Sequence, residues 1–278
     1  MKFKTLYILF NAVIVAAFLF IFLLPLAMLG PDYFRQFAQK NWIAALLFLA
    51  TLIIINGYFA YNWKLFRLLE REDWPGLIRL LEDSIYRRGR LTKGSCRLLL
   101  NAYLITSNSE AIAALEARVR RDKPAVIRAL ALPFGLPYLL RREPEKESAE
   151  AAAGYFGPLV GEPGVADRGW LRWNYAFSLM RLKRYDEARA QLEALLEARP
   201  RPELRLLGLY MLESFAEGDP QLRERLERGR QELRRRHPQM QWRKRLEAGG
   251  NPQVTLLAPV LREARDWLFS DRAAGSSS

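Results

Sequence analysis

Residues Trp170–Pro200 read WLRWNYAFSLMRLKRYDEARAQLEALLEARP, and this stretch decides the fold. Apolar residues recur every three or four positions in both halves, the period of an amphipathic helix. The interruption at Lys183-Arg184-Tyr185 is short and polar. The first helix is expected over Trp170–Leu182. The second starts at Asp186-Glu187-Ala188, where acidic side chains complement the positive end of the helix dipole, and stops at Pro200. Ala176 and Ala188 allow two antiparallel helices to approach closely, while Leu179 and Leu192 fill the seam. One such pair cannot bury its own apolar face, so neighbours must stack on it.

The spacing resembles the tetratricopeptide repeat (TPR), a helix–turn–helix unit of 34 residues. Tyr175-Ala176 stands at that family's Leu-Gly pair, Leu179 at its Tyr, Ala188 at its small residue, Leu192 at its Phe and Pro200 at its terminal Pro. Arg172 replaces the usual Trp, with Trp173 beside it, and Leu195 replaces a small residue. Weaker copies flank this unit. Leu207-Gly208 precedes Leu222, Leu226 and Gly229; Leu77, Leu81 and Ser84 follow Asp73-Trp74-Pro75; another pair covers about Ser95–Arg121. Between them, Pro124–Val160 is helical but interrupted at Pro133, Gly135, Pro137 and Pro144. The expected fold is all-α, a TPR-like helical solenoid over 64–270 with a disordered tail at 271–278. A generic helical array is the alternative.

The N-terminal region is of another kind. Thr5–Leu29 and Trp42–Trp63 carry no charge, and each is long enough, at about 1.5 Å per residue, to cross a hydrocarbon core of about 30 Å. They predict a transmembrane hairpin over 1–63. The first apolar run exceeds a signal peptide's core, and no small-x-small cleavage site follows it. Lys2, Lys4, Lys64, Arg67 and Arg71 flank the outer ends of the pair, so the positive-inside rule places both termini in the cytoplasm. A bacterial inner-membrane location follows. The layout resembles HemY-type proteins, which pair a two-span hairpin with TPRs; that likeness concerns architecture alone. Asn11 and Asn56 fall at similar depth, where each amide bonds either the other or its own helix backbone.

Charge and chemistry narrow the function. The chain of 278 residues carries 43 Lys and Arg against 30 Asp and Glu, one His and one Cys. His237 and Cys96 lie far apart, which argues against a metal centre or a Cys–His nucleophile. Gly89–Ser95 lacks the Lys of a phosphate loop and follows no strand. No catalytic residue, cofactor or metal is expected, and a small-molecule substrate has no evident site.

Two surfaces remain for a partner. By resemblance, the concave face maps to Trp173, Phe177, Met180, Arg181, Arg205 and Leu209, where TPR proteins take peptides; the commoner use of the first three, all apolar, is packing on a neighbouring repeat. The basic run holds Arg234, Arg235, Arg236, Arg243, Lys244 and Arg245. It suits anionic lipid headgroups or an acidic protein. Only Trp242 interleaves it, which argues against nucleic acid. The sequence thus points to a membrane-anchored adaptor that binds protein.

Overall fold

The computed structural model describes residues 3–140, 145–247 and 252–270. Among these, helices and turns account for the fold and no strand occurs. The expected tail at 271–278, Pro144, and the Gly249–Asn251 break lie outside the described residues.

By packing, the chain divides into two units, Met1–Asn108 and Ser109–Ser278. This division falls well beyond the change in composition at Trp63–Lys64. The first unit opens with α1 (Phe3–Glu70), whose helical geometry lapses at Gly30, φ 80° and ψ 174°. Pro31 follows, and its ring disfavours helical geometry in the residue before it. The halves on either side of Gly30 touch: Phe18 stacks on Phe48 at 4.8 Å, and Asn56 donates to Asn11 at 2.8 Å. One helix, Gln39–Glu70, is long and apolar enough to cross a membrane, and Tyr7–Ile21 is a shorter apolar stretch.

Next come α2 (Trp74–Glu82), a π-helical turn at Asp83–Arg87, and α3 (Lys93–Ile105). Asp73 caps α2 by accepting from the Gly76 amide at 2.9 Å. Thr92 and Ser95 form a reciprocal capping box at the start of α3, each accepting the other's amide at 3.1 Å. The loop that superficially resembles a phosphate cradle is therefore committed to starting a helix. Leu77, Leu81, Ile85, Cys96, Leu99 and Leu100 form this unit's core.

The second unit contains α4 (Ser109–Asp122), α5 (Pro124–Leu140), α6 (Glu145–Gly161), α7 (Arg168–Arg181), α8 (Tyr185–Glu197), α9 (Pro202–Leu212), α10 (Pro220–Arg236), α11 (Gln239–Glu247), α12 (Pro252–Leu256) and α13 (Ala258–Phe269). From α4 to α10, each helix packs on the next. Helices two apart also meet, α5 with α7 and α7 with α9, and α13 packs back onto α9. Ala176, Leu179, Ala188 and Leu192 are fully buried in the α7–α8 seam. A Leu taken wholly out of water contributes about 1.5–3 kcal/mol.

α5 differs from the sequence expectation. It runs through Pro133 and Pro137 without a break, and its distortion sits earlier, at Leu130 with φ −123°. A proline ring clashes with the carbonyl four residues before it. The strain is therefore absorbed one turn upstream.

Three of the short connections share one geometry. After α1, α3 and α7, a non-glycine residue adopts left-handed φ: Glu72 at 54°, Ser107 at 54° and Lys183 at 59°. Each turn is closed by the same pair of bonds, as in Lys183 to the Met180 carbonyl and Arg184 to the Leu179 carbonyl, both 2.9 Å. This is the Schellman motif, which satisfies the last carbonyls of a helix.

Candidate functional site: an aromatic groove on the second unit

α7, α9 and α13 together enclose a groove of about 480 Å³. α7 contributes Trp173, Phe177 and Met180. Spacings of four and three place these on one helical face. Trp173 is only 1% exposed and stacks flat on Phe177, with centroids 5.4 Å apart. Phe177 and Met180 are half-buried and form the accessible floor. The sequence left open whether these residues bind or pack; Trp173 packs, and the other two still present surface.

The opposite wall comes from residues the sequence reading did not select. Tyr210 and Met211 of α9 and Trp267 of α13 line it, with Tyr210 and Trp267 rings 5.7 Å apart. Glu213 and Ser214, in the 3₁₀ turn Glu213–Phe215 after α9, are its polar members. Phe177 and Tyr210 lie 33 residues apart, close to the 34 of the repeat that the sequence resembles, and that spacing was the available signal. Matching Leu207-Gly208 to Tyr175-Ala176 displaced the register by one.

Arg205 and Leu209 turn toward α10 instead. Arg205 pairs with Glu232, and Leu209 lies so close to Gly229 that a Cβ there would meet it at 2.9 Å. The Arg205 guanidinium holds the Glu232 carboxyl below the usual carboxylate range. Arg181 points to the start of α6, donating to the Glu145 carbonyl at 3.2 Å. None of the three lines the groove.

The basic run is partly consumed by structure. Arg230 is 3% exposed and lies with its guanidinium 4.9 Å from the Trp267 ring centroid. It donates to the carbonyls of Trp267, Leu268 and Ser270, the last at 2.6 Å. Arg234 donates to Leu268 and, at 2.6 Å, to Ser270. Cations at a helix C-terminus satisfy its orphan carbonyls and oppose its dipole. Both arginines therefore fix α13 against α10 and so hold the groove's far wall. Arg236 pairs with Glu232 at 2.7 Å and Arg245 with Glu203 at 3.0 Å. Arg235 and Lys244 are exposed, and the side chain of Arg243 lies outside the described residues.

A cleft of about 310 Å³ is lined by Glu116, Arg120, Tyr138 and Tyr155. Glu116 accepts from Arg120 at 2.8 Å and from Tyr138 at 3.0 Å, so its carboxylate is compensated within the fold. Tyr155 donates to the Ala131 carbonyl at 2.7 Å, and burial pushes its hydroxyl pKa upward. Among the described residues no group of His, Cys, Asp and Glu is placed to hold a metal ion. His237 sits at the end of α10, edge-on to Trp242.

In the first unit, Asn11 and Asn56 are brought together. Each also bonds its own helix, Asn11 to the Tyr7 carbonyl at 3.0 Å and Asn56 to that of Leu52 at 2.9 Å, so both readings of these amides hold at once. The Tyr7 hydroxyl adds a further bond to Asn56.

A Treponema pallidum (strain Nichols) protein described as "Uncharacterized protein" is 28% identical over 216 residues, covering 76% of this chain. The match spans 66% of that relative, slightly under two thirds of its length. No solved structure matches the chain. A family model described as "Uncharacterised Treponema protein" matches residues 111–270, more than half of the chain and nearly all of the second unit, and the chain belongs to that family.

Proposed function

We propose that this chain is a non-enzymatic, membrane-anchored adaptor of TPR-like architecture whose α7–α9–α13 groove docks a segment of a protein partner. The carrying observation is the groove itself. Its walls are Trp, Phe, Met and Tyr side chains supplied by α7, α9 and α13, and it keeps an open floor at Phe177 and Met180. Concave sites lined mainly by aromatic and apolar groups, with few polar ones, suit an apolar anchor side chain. Contacts between alternate helices support a solenoid reading of the second unit. The Gly30 bend and the paired asparagines support a two-span anchor. Flanking cations favour cytoplasmic termini at a bacterial inner membrane.

The test is photocrosslinking in intact cells. A photoreactive residue at Met180 should trap a discrete partner that the same residue at exposed Arg225 does not, and Phe177→Glu should abolish the product. Equal capture at both positions, or capture undiminished by Phe177→Glu, removes the groove from the reading.

A second reading makes the chain an auxiliary subunit of a larger membrane assembly. Exposed apolar side chains on α1 favour it, among them Ile54 at 70% and Phe20 at 65%. Such side chains can face other membrane helices as readily as lipid. Co-purification with integral membrane proteins in mild detergent, independent of Phe177, selects this reading.

A further inference from the structure

Near the end of the apolar helix in α1, aromatic side chains gather at one level. The Tyr7 ring meets those of Phe59 and Trp63 edge-on at 5.2 and 6.1 Å, and Tyr58 meets Phe66 at 6.3 Å. Tyr61, 70% exposed, belongs to the same stretch. Amphipathic rings of this kind collect where hydrocarbon gives way to headgroups.

α1 continues past Tyr61 for another nine residues, roughly 13 Å of helix, before ending at Glu70. α2 packs against α1, and the chain comes back to α1 at Tyr61. Arg90 donates to the Tyr61 hydroxyl and carries its guanidinium 5.9 Å from the centre of that ring, although 29 residues separate the two. The loop after the π-helical turn is thereby returned to the aromatic level. It reads Arg87-Arg88-Gly89-Arg90, with Lys93 close behind, and Gly89 at φ 64° makes the bend. The Arg87 side chain is 85% exposed and that of Arg88 63%. Both share one carboxylate, Asp83, at 3.7 and 2.8 Å, so the cluster keeps a net positive charge.

We infer that Arg87, Arg88, Arg90 and Lys93 form a headgroup site for an anionic phospholipid. Planar guanidinium groups match phosphodiester oxygens in pairs, and cations held near an anionic leaflet gain in affinity. The bond to Tyr61 selects a lipid over soluble phosphate, because it fixes the cluster beside rings suited to acyl chains and glycerol. The site rests on the membrane reading of α1 and is separate from the Arg234–Arg245 run.

The test uses the full chain in bilayer discs of equal phosphatidylcholine and phosphatidylglycerol, extracted into mild detergent, with retained lipids weighed by mass spectrometry. The unmodified chain should retain phosphatidylglycerol in several-fold excess, and added inorganic phosphate should not displace it. Joint Arg87→Gln, Arg88→Gln and Arg90→Gln substitution should remove that excess and bring the ratio close to that of the disc. Tyr61→Ala, which leaves every cation in place, should lower it in part. Arg235→Gln with Lys244→Gln should not change it. An inserted chain whose excess survives the triple substitution, or falls only with the Arg235 and Lys244 pair, overturns the site alone. Release of the unmodified chain from the discs at alkaline pH overturns the membrane reading and the site with it.

Discussion

Arg230 stands under the Trp267 ring at 4.9 Å and reaches past it to the carbonyls that end α13. One guanidinium therefore positions a wall of the groove and closes a helix. A hydrogen bond to a charged group contributes about 1.5–3 kcal/mol, and a desolvated cation–π contact about 2 more.

Arg230→Ala should destabilise the chain by about 3–5 kcal/mol, the loss of its charge-assisted bonds and cation–π contact together, although Arg234 still reaches the Leu268 and Ser270 carbonyls. Arg230→Lys should recover less than half, because an ammonium cannot span carbonyls that a planar fork reaches together. Chemical denaturation of the full chain in detergent, followed by tryptophan fluorescence, measures both. A lysine variant as stable as the parent would contradict the assignment.

Two glycines should respond in opposite directions to the same change. A Cβ at Gly135 would lie 2.4 Å from the ring of Phe156, which is fully buried and cannot retreat. Gly135→Ala should cost about 1–3 kcal/mol as overpacking. Gly154 lies inside α6 with nothing within 4 Å of the added carbon. Gly154→Ala should stabilise by about 0.5–1 kcal/mol through backbone entropy. Thermal melts of the pair give the signs directly.

Alkaline pH should act through tyrosine. Burial is the first cause of the raised pKa at both Tyr103 and Tyr155, with nearby Glu82 adding for the former and Glu116 for the latter. Both folded pKa values lie above the unfolded value, so their contribution is full below about pH 10 and is lost as pH rises further. Phenolate absorbance should show these two tyrosines ionising only as the chain unfolds. Tyr155→Phe should lower neutral-pH stability, by loss of the Ala131 bond, yet flatten the alkaline decline.

Acid should act at Asp219, which caps α10 by accepting from the Leu222 amide at 2.9 Å and pairs with Arg189 at 2.7 Å. The amide bond first, and Arg189 after it, lower its pKa. Its contribution is present above the unfolded carboxylate pKa of about 3.9 and is lost as pH falls below that. Asp219→Ala should lower stability at neutral pH through loss of the cap. Asp219→Asn should keep most of the cap and remove this part of the acid sensitivity, as stability curves from pH 7 to pH 3 would reveal.

In α1, a double-mutant cycle of Asn11→Ala and Asn56→Ala should yield a coupling of about 0.6–1.7 kcal/mol in detergent or bilayer. Simple additivity would mean that the bonds to each helix's own backbone carry the whole effect.

The helix pair at the centre of the second unit was readable almost to the residue. α7 and α8 lie within two positions of the expected ends, because Lys183-Arg184, acidic residues in the next first turn and Pro200 are local signals. The same holds for the start of α2 at Asp73. What could not be read was direction within the stack. Leu207-Gly208 resembles the family's pair, but Gly208 packs on Leu196 of α8, and that contact rotates Arg205 and Leu209 onto α10. Trp267 in the groove was equally hidden, since its placement depends on Arg230 some forty residues earlier. Composition alone marked the arginine run as a surface; only packing separates those that close a helix from those left in solvent.

The three-residue connection between α7 and α8 holds Lys183 in a left-handed conformation that costs an L-residue about 1–2 kcal/mol. Letting that single residue relax would fuse the two helices into one rod. At high concentration, two copies could then exchange everything beyond it, giving an intertwined dimer with every native contact intact. Glycine at 183 removes the incentive, so the substitution offers a monomer-locked form for crystallisation.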